Sequence, residues 1–104
     1  MSQHQIQVNS PKVGRVLVTV GYDPMLDEAF LNYFNDNTSY MSPPGLMAGE
    51  VEKLAIEQLG QPLPQPVLDG LQNDVADLRT GATDLGRRVT QYEPDGTVAQ
   101  AVKW

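Results

Sequence analysis

Cysteine is absent from the 104 residues, and histidine and tryptophan each occur once, at His4 and Trp104. The first absence excludes disulfides, thiolate zinc sites, iron-sulfur clusters and a cysteine nucleophile; a single histidine excludes a cage of imidazoles around a metal. No cofactor is expected. A chain this short buries roughly two thirds of the surface its unfolded form exposes, so an ordinary core must hold it without cross-links. Basic residues are scarce as well, seven against thirteen acidic ones, for a net charge of −6 and a pI near 4.4. Nucleic acid and anionic membrane both demand cationic surface, so neither is expected as a direct partner. No apolar run approaches the roughly 18 residues of a spanning helix. The stretch from Met1 to Val8 lacks the charged and apolar regions of a signal peptide, and the expectation is one cytoplasmic domain over 1–104.

What charge there is lies unevenly. Residues 1–22 sum to +2, residues 23–84 to −9 and residues 85–104 to +1. The acidity belongs to the middle of the chain.

Ile6 and Val8 alternate with Gln5, Gln7 and Asn9, and Val16, Val18 and Val20 alternate with Leu17 and Thr19, across a Ser10-Pro11-Lys12-Val13-Gly14 turn. Period-two alternation of β-branched residues reads as a hairpin. The next stretch has two readings. Asp23 as N-cap with Pro24 behind it starts a helix carrying Leu26, Phe30 and Phe34 on one stripe; alternatively 23–28 is a loop and 29–34 a third strand, which is preferred. Tyr40 and Met41 leave room for a short strand at most. Met47, Val51, Leu54, Ala55 and Leu59 follow helical spacing up to Gly60, and Val67, Leu68, Leu71, Val75 and Leu78 form a second stripe behind Pro66, ending near Gly81. Between them Pro62, Pro64 and Pro66 read as a stiff connector. The tail folds back on Pro94-Asp95-Gly96 as a closing hairpin. The expected fold class is α+β: an antiparallel sheet made of the N-terminal hairpin, the third strand and the C-terminal hairpin, with two helices packed on one face.

Gly21-Tyr22-Asp23-Pro24-Met25-Leu26, Phe30-Leu31, and Leu59-Gly60-Gln61-Pro62-Leu63-Pro64-Gln65-Pro66 together resemble a pattern of small uncharacterised bacterial proteins from plasmid and accessory-gene settings. Those show Gly-Trp-Asp-x-Pro-Leu, a Phe-Phe strand and a Leu-Gly-x-x-x-Pro helix start. Here Tyr22 replaces the Trp, Pro24 directly follows Asp23, and Phe30-Leu31 replaces Phe-Phe. The resemblance covers about residues 14–78, favours strand at 29–34, and implies no assigned activity and no catalytic residue.

Nucleophile elbows, phosphate loops, dinucleotide fingerprints and paired-histidine zinc motifs are all missing. His4 reads as an ordinary, partly exposed histidine at the edge of a strand. Asp23, Asp27 and Glu28 are close enough in sequence for paired-carboxylate hydrolase or lyase chemistry, though Asp23 reads more simply as a cap or Asx-turn. Asn35-Asp36-Asn37 lacks the glycine and the glutamate of a calcium loop, and reads as a turn. Most of Met25, Met41, Met47, Tyr22, Tyr33 and Tyr40 are expected in the core or at its edge, with Tyr40-Met41 beside Pro43-Pro44 in an exposed loop, and Trp104 is expected to dock on the sheet.

The leading expectation is a non-enzymatic binding or accessory protein. It would contact an unidentified protein partner through Tyr40, Met41 and Met47 and the helical acids Glu50, Glu57, Asp74 and Asp77. The same acidic block admits an alternative, an anti-defence inhibitor that mimics nucleic acid in a basic cleft. Sheet edges left unpaired keep a homodimer open.

Overall fold

The computed structural model describes residues 2–79 and 88–103. The N-terminal alternation forms β1 (Ser2–Ser10) and β2 (Gly14–Asp23) in antiparallel register, with Ile6 opposite Val18 and Val8 opposite Val16. The reversal is built locally: the Ser10 hydroxyl accepts the N–H groups of Lys12 and Val13, and Gly14 takes a φ of +80° that side chains resist. The next segment is strand, β3 (Glu28–Phe34), after a turn in which Asp23 accepts the Met25 N–H and the Tyr22 hydroxyl donates to Asp27. A three-residue β4 (Ser39–Met41) pairs on β3 beyond an Asn35 turn.

One 3-10 turn (Ala48–Glu50) precedes α1 (Val51–Leu59), so the helix proper starts later than the stripe that begins at Met47, and Gly60 closes it with a φ of +76°. The C-terminal carbonyls of α1 are tied to the β1–β2 turn, since the Ser10 hydroxyl donates to Leu59 O at 2.5 Å and Lys12 Nζ to Glu57 O at 2.6 Å. The proline connector leads into α2 (Gln65–Arg79), with Pro66 in its first turn. The final hairpin is β5 (Arg88–Tyr92) and β6 (Val98–Lys103).

All six strands form one sheet in the order β4-β3-β2-β1-β5-β6. The expected α+β class stands, with both helices packed on one face against β1, β2 and β3. The sheet is mixed, however, because β5 runs parallel to β1. The meander β2–β3–β4 leads away from β1 and leaves that strand's other edge open. The chain returns across one face through both helices and fills this edge from the same end at which β1 begins. Where α2 ends decides this direction, and no local propensity encodes it.

The core lies between sheet and helices. Ile6, Val16, Val18, Val20, Leu31, Val51, Leu59, Val67 and Leu71 are essentially inaccessible. Two expectations are corrected here. Tyr22 and Tyr33 are buried as expected and Tyr40 is half-buried at the edge, but Met25, Met41 and Met47 are exposed, because each sits on a turn, an edge strand or a segment before a helix. His4 is 3% exposed, since the late insertion of β5 makes β1 an interior strand. Trp104 and Gly81 lie outside the described residues.

Candidate functional site

Under α2 the covered face of the sheet holds a polar chain. His4 Nε2 lies 2.6 Å from Asp74 Oδ2, and its Nδ1 lies 2.8 Å from the Tyr92 hydroxyl. A carboxylate only accepts, so Nε2 carries a proton, while the Tyr92 hydroxyl donates to a bare Nδ1 or accepts from a protonated one. Arg88 Nη1 donates to Asp74 Oδ1 at 3.3 Å and to Asp77 Oδ2 at 3.2 Å. Burial pushes the Asp74 pKa up, but the hydrogen bond and charge of His4, the nearby Ser2 hydroxyl and Arg88 together hold it below the ordinary value. Burial, then the Asp74 carboxylate, raises the Tyr92 phenol. The Ser2 hydroxyl is buried beside this group without a well-formed hydrogen bond. Space for the chain exists because residue 70 is glycine: a Cβ there would stand 2.6 Å from the Tyr92 oxygen and 2.8 Å from His4 Cε1. Both ring nitrogens of His4 are taken and the ring is closed to solvent, so this group clamps α2 to β1 and β5; its geometry does not present a reactive atom.

Among the described residues no helix lies over the opposite face of the sheet. Register sets its side chains in three rows. Phe34, Leu17 and Gln7 form the first. Met41, Asn32, Thr19, Gln5, Gln91 and Gln100 form the second, in which Gln91 donates to Gln5 at 3.2 Å. Phe30, Gly21, Gln3, Val89 and Val102 form the third, where the Phe30 ring lies so close over Gly21 that a Cβ would meet it at 2.5 Å. Every residue in these rows is uncharged, and all but Gly21 are partly or fully exposed. Phe34 is 56% and Met41 76% exposed. Among the described residues of this face, charge appears only at the ends of the strands, Arg15 at one and Asp23 opposite Glu28 at the other. A depression of about 310 Å³ opens beside Phe30, Met41 and Pro43.

No family model matches this chain, nor does any curated protein or solved structure.

The residues expected to meet a partner divide between the two sides. Met41 is on the uncovered face, whereas Tyr40 turns to the covered side and stacks on Tyr33 with ring centroids 5.2 Å apart. Glu50 and Glu57 are exposed on the helical side, Glu50 also accepting the Met47 N–H. Asp77 is exposed and paired with Arg88; Asp74 is turned inward, its side chain 13% exposed. Asp23 and Glu28 are cross-strand partners, each accepting a backbone N–H, from Met25 and from Gly45. Sequence reasoning missed Phe30, Phe34, Leu17 and Val89 as a common surface. One signal was present: the polar positions alternating with the β1 apolar set are Gln3, Gln5, Gln7 and Asn9, amides where a solvent-facing strand ordinarily carries charge. Among the described residues no helix is long and apolar enough to cross a membrane.

Proposed function

We propose that the protein is a non-enzymatic binding module that engages another protein chain through the uncovered face of its sheet. One observation supports this above all: on an acidic chain, a six-stranded face is free of charge between its ends and exposes Phe34 and Met41. Contiguous uncharged surface with aromatic and methionine side chains is what interface centres are made of, and charge is what they exclude. Open antiparallel faces that meet only water ordinarily carry Lys and Glu. The acids of α1 and α2 support a second reading, contact with a basic partner, less well, because Asp74 is committed to His4 and Arg88.

The two readings predict opposite behaviour. Tagged protein is used to recover bound chains at low and high salt, with Phe34→Asp/Met41→Asp and Glu50→Gln/Glu57→Gln/Asp77→Asn in parallel. Binding that persists in high salt and is lost only with the first variant is the expected result. Binding that fails in high salt and with the second variant transfers the function to the acidic side. Recovery of neither a partner nor a second copy of the chain overturns the binding role.

A further inference from the structure

We infer that the occupant of the uncovered face is a second copy of this chain, in a two-fold dimer whose sheets stack with their β2 strands antiparallel. This rests on the reading of that face as a docking surface and names its partner. A copy of a chain of net charge −6 is repelled by the acid-bearing helical side, whereas the rows of the sheet face oppose no approach by charge.

The charged ends make the face complementary to itself. Arg15 and Asp23 lie at opposite ends of β2, about 27 Å apart at the rise of a strand. A two-fold axis between the sheets and perpendicular to the strands exchanges these ends, bringing Arg15 of each copy opposite Asp23 and Glu28 of the other. The axis then passes at Thr19, midway between them, so the amide row meets itself and donors find acceptors. Phe34 of one copy comes over Phe30 of the other. An axis parallel to the strands would instead oppose acid to acid, which selects the first arrangement. Six strands at ~4.8 Å, averaging about seven residues at ~3.4 Å, give a footprint of about 690 Å² before side-chain relief is counted. That approaches the ~800 Å² per partner of an ordinary stable interface.

Sedimentation equilibrium of the whole chain should show a monomer–dimer equilibrium, weakened on the order of 100-fold by Phe34→Asp and about tenfold by Arg15→Glu. Circular dichroism of both variants should be unchanged, since both side chains are exposed. Arg15→Glu mixed with Asp23→Lys/Glu28→Lys should form a heterodimer, while each alone is mainly monomer. Because the chain has no cysteine, Thr19→Cys gives one thiol, and a short bis-maleimide should couple it to its own copy, whereas Glu57→Cys should remain uncoupled. A chain monomeric at millimolar concentration, or a dimer indifferent to Phe34→Asp, overturns the inference. If the monomeric chain nevertheless loses another protein with Phe34→Asp/Met41→Asp, the docking face stands and only its assignment to a second copy falls.

Discussion

The two faces of the sheet are written by alternate residues of the same strands, and they have opposite fates. Val16, Val18 and Val20 of β2 vanish under the helices, while Leu17 and Thr19 between them remain half-exposed. The covered face spends its polar groups on itself, as in the His4–Asp74–Tyr92 chain, and its energy goes into stability. The uncovered face holds uncharged groups over which none of the described elements packs. A residue's contribution to folding and its availability to a partner therefore separate by parity along each strand.

The sharpest break of that comparison is within β3. Leu31→Ala, fully buried, should cost about 3 kcal/mol in urea denaturation, through lost transfer energy and the cavity it leaves. Next, Asp74→Asn should cost about 2 kcal/mol, because the buried His4 and Arg88 donors lose their ionised acceptor.

The pH dependence sharpens the same face. Folding lowers the Asp74 pKa, so its stabilisation is present above the ordinary value of 3.8 and is lost as pH falls through the lower folded value. The gap between wild type and Asp74→Asn should narrow in that acid range. Tyr92 works in the opposite sense. Its folded pKa is raised, so its contribution is intact below 10.0 and declines as pH rises toward the folded value, an alkaline slope that Tyr92→Phe should remove. The smallest effect belongs to the uncovered face: Phe34→Ala, three residues from Leu31, should change the stability of the dilute protein by less than about 0.5 kcal/mol. Equal costs at Leu31 and Phe34 would erase the distinction between the faces.

Much of the fold was legible. Alternation marked β1 and β2, strand was the preferred of two readings for β3, helical spacing marked α1 and α2, and Asp95-Gly96 marked the last reversal, with the Gly96 φ at +92°. The fate of His4 was not legible, because its partners Asp74 and Tyr92 are 70 and 88 residues away. Nothing near His4 distinguishes a histidine in an edge strand from one whose neighbour arrives at the end of the chain. The surface was half legible: the amides of β1 were visible, but Phe30, Phe34 and Val89 join them only once the strands are set side by side.

By itself the sequence determined the α+β class, the element bounds to within a few residues, the absence of thiol chemistry and the placement of acid between residues 23 and 84, since all of these follow from local periodicity and composition. The tertiary structure decided that β5 enters parallel to β1, that His4 and Asp74 become one buried pair, and which of two alternating faces receives the helices. Those outcomes depend on contacts between distant segments. A strand's alternation states that its two faces differ, but only the path of the helices across the sheet leaves one of them open.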